Sequence, residues 1–472
     1  MTPALGLRSV VTLAVWAASG LIVWLQPLGS LSPQGHGVLG AFLAGLALIV
    51  LTPSDLPRGA GGLFMLGLVL LTGVKTRDTF SGFAGNALWT LVPALYFGHL
   101  LIKTGLGRRL ALAFLRLFPT PRGMVFGWLL VGLVFSALTP SIMVRVSILF
   151  PIVGSMMHTL KLRPRSPESA FLSLLALFAA TVPGNGWLTG SLNGPLIQGM
   201  LPPPFAQELT WFAYFRALFL PWMLVTALLL PYFLWVLRPQ RLELSGLSLE
   251  AEYRKLGAPS RQERLTLGVL GLTFVAFLTT PFHGLPIPAI ALLALFLFFA
   301  LGLMKAGDIP VGISWDLVLF VGSMMSLPAI FSASGLTHFL EGLIHPWVAP
   351  VASSLPLFLL TTTLGLYAIR LLDAATGLAT SAVLLSLTPW LSQEFGIPYL
   401  IVAAQAGALM TWSFLSYMSP FALVANTLVE YKGWSEGHLI KFGLAFIIAT
   451  VLAFQGSIPY WRVIGLLGPP GG

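Results

Sequence analysis

The 472 residues specify an all-α membrane protein with about eleven transmembrane helices and two opposed re-entrant hairpins in an inverted repeat. Composition is the first ground. Hydrophobic residues make up 57% of the chain and charged residues only 8%, against about 25% charged in an ordinary soluble domain. The second ground is the recurrence of apolar runs close to the 20 or so residues that cross a bilayer. The third is a pair of longer apolar stretches, 123–160 and 355–391, each divided by a short polar tip.

The same numbers exclude other classes. Lys and Arg total 25 against 15 acids, a net charge of +10, but these charges are sparse and lie between apolar runs, so no nucleic-acid partner is expected. The 49 Gly and 35 Pro do not signal disorder in so hydrophobic a chain. With no cysteine, disulfides, thiolate metal sites and Cys nucleophiles are absent. There is no Gly-rich phosphate loop with its Lys, no HExxH, no GxSxG and no His cluster. No catalytic residue, no metal ligand and no cofactor is therefore expected, and the chain does not read as an enzyme.

At the N-terminus Arg8 precedes Val10 to Leu25, a run longer than a signal-peptide core and without a clear cleavage pattern, read as the first span. Candidate spans are 8–26, 37–53, 59–75, 86–103, 169–201, 212–237, 265–280, 287–303, 313–334, 398–428 and 438–460. In the stretch 123–160 the tip is Leu138-Thr139-Pro140-Ser141; in 355–391 it is Leu372-Asp373-Ala374-Ala375-Thr376-Gly377. Irregular backbone at membrane depth is tolerated only inside protein or beside water, which argues for re-entrant hairpins. Two ordinary kinked helices in each stretch are the alternative.

Cytoplasmic loops are enriched in Lys and Arg. Lys103, Arg108, Arg109, Arg116 and Arg122 precede the first hairpin and Lys161, Arg163 and Arg165 follow it, whereas 335–360 and 392–400 around the second contain neither residue. The first hairpin then enters from the cytoplasm and the second from the opposite side, with the N-terminus cytoplasmic. Lys75 and Arg77 fall outside, against this scheme. The halves also echo each other. Trp89 and Gly105-Leu106 precede an interfacial amphipathic stretch and the first hairpin, as Trp315 and Gly335-Leu336 do the second. A span interrupted by Pro183-Gly184-Asn185-Gly186, or by Ser416-Tyr417-Met418-Ser419-Pro420, follows each hairpin. The resulting division is scaffold helices 1–85, a first repeat 86–237, a cytoplasmic linker 238–264, scaffold helices 265–312 and a second repeat 313–472.

Interrupted helices at matching places in inverted repeats point to a solute site near the membrane midplane. A broken helix presents free N–H groups and the positive end of its dipole to an anion. Candidate binding residues are Thr139, Pro140, Ser141, Arg145 and Asn193 from the first repeat, and Thr376, Gly377, Thr380, Ser381, Ser419 and Pro420 from the second. Oxygen-bearing candidates for a coupling ion are Ser141, Thr189, Ser191, Asn193 and Asp373. Helix capping is the ordinary alternative for each hydroxyl. A full charge at bilayer depth costs about 3 kcal/mol or more, and only Arg145, Arg370 and Asp373 lie beside the tips. Arg370 and Asp373, three apart, would share a helix face as a charge pair, either self-neutralising or with Asp373 protonatable. Arg145 reads as an anion attractor or a helix-end contact, His99 as a hydrogen-bonded structural residue and Asp316 as a helix-end residue.

Several of these segments resemble the divalent anion:sodium symporter family, in its dicarboxylate-exchanger branch of citrate/succinate and 2-oxoglutarate/malate translocators. Pro140-Ser141-Ile142-Met143-Val144-Arg145 and Phe150-Pro151-Ile152 are similar to the branch's first hairpin tip and its Pro-Ile close. Thr189-Gly190-Ser191-Leu192-Asn193-Gly194-Pro195-Leu196 resembles its Thr-Ala-Met-Ala-Ala-Asn-Pro-Leu loop. Ser381-Ala382, Gly396-Ile397-Pro398 and Tyr431-Lys432-Gly433-Trp434 through Phe442-Gly443 resemble its C-terminal third. Ile142 and Met143 stand where the family has Asn and Thr, Gly194 where it has Asn, and Ala379 where the branch has His. The resemblance implies a homodimer with scaffold and mobile transport domains moving like an elevator. It does not carry over sodium coupling, because Ile and Met offer no oxygen ligand.

The function expected is secondary active transport of small organic anions, most simply dicarboxylates, by alternating access in a multi-pass bacterial inner membrane protein. Na⁺ coupling, H⁺ coupling through Asp373 and plain exchange remain open. A cation/proton antiporter or oxyanion transporter, and a degenerate non-transporting protein, are the rivals.

Overall fold

The computed structural model describes residues 7–51, 56–237, 242, 249–371, 373, 377–412 and 414–467. Every regular element among them is a helix. Seven are long and apolar enough to cross a membrane: Pro33–Leu51, Pro121–Leu138, Ile142–Thr159, Pro167–Gly186, Trp211–Val236, Trp315–Ala333 and Glu436–Val463. Five more are apolar but shorter, namely Val10–Leu25, Arg58–Leu71, Ile287–Ala300, Leu355–Arg370 and Tyr399–Thr411. The runs read at 86–103 and 265–280 form helices Asn86–Lys103 and Arg261–Leu278. Arg261, Glu263 and Arg264 make the latter's first turn strongly polar. The run at 59–75 is a helix only to Leu71, followed by two short turns of helix, Thr76–Thr79 and Ser81–Ala84.

The chain forms two compact units. The first comprises residues 1–89, 196–209 and 314–410. Its centre is Trp315–Ala333, packed on Arg58–Leu71, Ser81–Ala84 and Leu378–Ser386. Small residues allow close approach and leave main-chain donors for side chains to satisfy. Gly82 N donates to Ser326 Oγ at 3.0 Å. Gly59 N donates to Asp316 Oδ1 at 2.7 Å, so Asp316 caps a neighbouring helix rather than its own.

The second unit comprises 90–195, 210–313 and 411–472. Helix Pro167–Thr181, with every position from Ser169 to Thr181 buried, packs on Pro121–Leu138 and Ile142–Thr159. An all-round apolar helix is suited to a position inside a bundle. Trp211–Pro231 packs on Glu436–Gly456. The amphipathic stretches are helices Leu106–Leu115 and Leu336–Ala352, each entered through a left-handed glycine, Gly105 with φ 78° and Gly335 with φ 76°. Within the linker, helix Leu249–Lys255 docks on Leu106–Leu115. Arg116 donates to Glu250 at 2.9 Å and lies 3.8 Å from the Tyr253 ring centre. Arg109 makes a two-pronged contact with Glu263, at 2.6 and 3.3 Å, which raises the guanidinium pKa above its ordinary value.

Candidate functional site

In the stretch 123–160 the helix ends at Leu138 and restarts at Ile142, leaving Thr139, Pro140 and Ser141 as a buried three-residue tip. Ser141 is the N-cap of the second arm, its hydroxyl accepting from Val144 N at 3.3 Å. Thr139 Oγ1 accepts from Ser141 N at 3.1 Å, which fixes the bend. The following span breaks after Thr181 into a turn, Pro183–Gly186, runs irregularly to Leu192 and resumes as Asn193–Met200. Gly184 and Gly190 cross so closely that a Cβ on Gly184 would lie 2.0 Å from the Gly190 carbonyl oxygen.

Arg145 is fully buried. Its Nη1 donates to the Ala180 carbonyl at 3.0 Å; its Nη2 donates to those of Thr139, at 2.5 Å, and Gly190. One guanidinium thereby joins the hairpin tip, the end of the broken helix and the irregular loop. Its Nε has no hydrogen-bond partner among the described residues. The cavity beside this tip, lined by Thr139, Pro140, Thr189 and Phe274 among others, holds about 10 Å³, room for one water at most.

The remaining polar groups form a network. Asn193 Nδ2 donates to Asn185 Oδ1 at 3.0 Å and to Thr411 Oγ1 at 2.9 Å. Asn185 Nδ2 donates to the Thr181 and Val182 carbonyls at 2.9 and 3.0 Å, capping the broken helix from within. Ser191 Oγ accepts from Asn193 N at 3.3 Å, and Thr189 Oγ1 accepts from Trp211 Nε1 at 3.0 Å. Thr411 is the last residue of Tyr399–Thr411, where the second interrupted span breaks; it resumes at Pro420–Leu428. Ser419 caps that helix by accepting from Ala422 N at 3.2 Å, and Pro420 occupies its first position, where a missing N–H costs nothing.

Two serine-capped helices of this unit pack side by side. Pro420–Leu428 packs on Ile142–Thr159. Val429 lies beside Gly154, and Arg165 N donates to the Lys432 carbonyl at 2.8 Å, so both segments advance in the same direction. At about 1.5 Å per residue, the Ser141 and Ser419 caps stand within roughly one helical turn of the same level. Both positive dipole ends then point the same way, with Arg145 one turn beyond the first cap.

The first unit holds the other hairpin. Leu355–Arg370 and Leu378–Ser386 are its helices, and Gly377 enters the second with φ 75°. Leu372, Ala374, Ala375 and the candidate Thr376 lie outside the described residues. Arg370 and Asp373 do not share a helix face as expected. The helix ends at Arg370, so Asp373 is not on its face, and Arg370 Nη1 donates to the Asp373 main-chain carbonyl. The Asp373 carboxylate accepts from Thr380 Oγ1 at 2.8 Å and Thr380 N at 3.2 Å. It lines a largely apolar cavity of about 500 Å³ with Thr380, Phe42 and Val383. Ser381 is buried, and its hydroxyl has no partner among the described residues.

Sequence reasoning missed Asn185, Thr411, Trp211 and Gln405. Gln405, 1% exposed, donates to the hydroxyls of Thr362 and Thr363. An amide inside the apolar run 399–411 was the available signal. His99 is hydrogen-bonded as expected, Nε2 lying 3.3 Å from Asp308 Oδ1.

The profile described as the sodium:sulfate symporter transmembrane region matches residues 7–467. The chloroplastic dicarboxylate transporter 1 of Arabidopsis thaliana is 24% identical over 95% of this chain and 82% of its own. The L-tartrate/succinate antiporter of Escherichia coli K12 is 23% identical over 79% of this chain and 78% of its own. Bacillus subtilis YflS is 28% identical over 56% of either chain, so the chain spans little more than half of that relative. The crystal structure of the Alcanivorax borkumensis YdaH transporter matches 97% of this chain and 98% of its own, with a TM-score of 0.57 at 17% identity, a likeness of fold. A match over nearly the whole length, to transporters rather than enzymes, makes this chain an integral, multi-pass member of the divalent anion:sodium symporter family of membrane proteins.

Proposed function

We propose that the protein is a secondary transporter of small organic dianions, dicarboxylates foremost, working by elevator-type alternating access. The observation that carries this reading is the parallel pair of serine-capped helix N-termini in the second unit, at Ser141 and Ser419, with Arg145 one turn from the first. Such ends bind anions through main-chain N–H groups. A carboxylate needs close approach and few full charges, which fits Thr139, Pro140, Ser141, Asn193, Ser419 and Pro420. Gly377, Thr380 and Ser381, with Thr376, are the matching set of the second hairpin. The relatives named for dicarboxylate and for tartrate/succinate transport support the substrate class.

In this reading both hairpins are re-entrant and opposed, the protein is a homodimer in a bacterial inner membrane, and its N-terminus is cytoplasmic. Exchange is the simplest coupling mode, because Ile142 and Met143 bring no oxygen to the first tip. Proton coupling through Asp373 is the second reading, favoured by the placement of its carboxylate on a cavity wall. The test is radiolabelled succinate uptake into proteoliposomes preloaded with succinate or left empty, with and without Na⁺ and a pH gradient. Exchange predicts uptake only in preloaded vesicles. Uptake into empty vesicles driven by a gradient overturns exchange, and no uptake of any dicarboxylate under all conditions overturns the substrate class.

A further inference from the structure

A second cavity, of about 600 Å³, lies at the opposite end of the same two helices. One wall is Pro151, Gly154, Met157, His158, Lys161 and Leu162; the other is Leu428, Val429, Glu430 and Lys432. Four of the five described non-glycine residues with positive φ are at or beside it: Lys161 at 49°, Arg165 at 57°, Glu430 at 54° and Tyr431 at 57°. Side chains rarely adopt this backbone, and such conformations gather where surrounding structure over-determines them, often at functional sites. Here the loops are tied by Arg165, whose N donates to the Lys432 carbonyl at 2.8 Å and whose Nε donates to that of Tyr431 at 3.0 Å.

The charge is one-sided. Segments 158–165 and 428–432 carry Lys161, Arg163, Arg165 and Lys432 against Glu430 alone, 4 − 1 = +3 before His158 is counted. Glu430 is already paired with Lys432, and Lys161 has no ion pair among those described. Lysines just beyond a helix C-terminus also complement its dipole, but that role needs neither a cavity nor left-handed lysine backbone. Below the charged rim the wall is apolar: Pro151, Met157, Leu162, Leu428 and Val429. A free dicarboxylate has no use for such a wall, whereas a glycerophospholipid has both an anionic phosphate and apolar chains. Basic pockets between helix ends at the membrane surface recognise headgroups in this way.

We infer that this cavity binds the phosphate of an anionic phospholipid, with Lys161, and Lys432 drawn from its exposed pair with Glu430, as its cationic partners and the Pro151–Leu428 wall against its glycerol and acyl portion. The test is thermal unfolding of the purified full chain in neutral detergent, with phosphatidylglycerol, phosphatidylcholine, inorganic phosphate or succinate added. Phosphatidylglycerol is expected to raise the Tm by several degrees. Phosphatidylcholine should not, and the Lys161→Gln/Lys432→Gln variant should lose at least half of the rise. Both lysines are surface-exposed, so the variant should fold. Lys75→Gln/Arg77→Gln, which removes the same charge from exposed positions elsewhere, should keep the full rise. An equal rise in both variants, or no rise with phosphatidylglycerol, overturns the inference. An equal rise with inorganic phosphate or succinate alone also overturns it, by showing a soluble-anion site. Because the readout is lipid stabilisation, its failure leaves the transport reading untouched.

Discussion

Arg145 has no carboxylate partner among the described residues, yet it is far from idle. Its donors hold three main-chain carbonyls that would otherwise be buried without partners, at Thr139, Ala180 and Gly190. Each orphaned carbonyl costs about 1–3 kcal/mol. Arg145→Ala should therefore lower stability by at least about 3 kcal/mol, read as a fall in Tm, and abolish transport. Arg145→Lys keeps the charge but cannot reach three acceptors in a planar fork. If charge alone matters, the lysine variant transports normally. The bracing geometry predicts that it does not, and that its Tm falls as well. At the crossing of Gly184 and Gly190 the prediction is steric. Gly184→Ala places a methyl 2.0 Å from a carbonyl oxygen, so the variant should lose its monodisperse elution in size-exclusion chromatography. Full retention of the wild-type profile and Tm would contradict the tight crossing.

Helices were the most legible elements, because hydropathy and length are local properties. Pro183–Gly186 and Ser416–Pro420 announce breaks through turn residues that need no knowledge of neighbours. The Asn185–Asn193–Thr411 network was not legible, since one of its bonds joins positions 218 residues apart and nothing local marks Thr411 as its end. The shared helix face expected of Arg370 and Asp373 failed for a related reason. Their three-residue spacing implies a shared face only if the helix continues, and it stops at Arg370. The turn Asp308–Val311 after Ile287–Ala300 gives an element-scale prediction in pH. The hydrogen bond from Lys103 Nζ, at 2.6 Å, and that from Lys305 N hold the Asp308 carboxyl down to about 2, against an ordinary 3.8. A lowered folded-state pKa adds stability that is fully present above the unfolded value and lost as pH falls toward the folded one. The Tm advantage of wild type over Asp308→Asn should thus be constant above about pH 5 and shrink between roughly pH 4 and 2. An advantage unchanged at pH 3 would refute this assignment.

At the scale of the whole molecule, the two compact units each carry one hairpin, and the breaks at Pro183–Gly186 and Ser416–Met418 both lie in the second unit. The all-helical plan and the family were both readable from composition and a few degenerate motifs, because membrane spanning restricts the fold so severely. The proposed anion-binding geometry depends on two helices packing in parallel, a tertiary arrangement no single segment contains. Ser141→Ala/Ser419→Ala tests it most directly, through succinate binding to the purified protein by calorimetry alongside Tm. Each cap is worth about 1 kcal/mol of helix stability, so folding should survive while succinate affinity falls at least tenfold. Wild-type affinity in the double variant would contradict the claim that these two helix ends hold the anion.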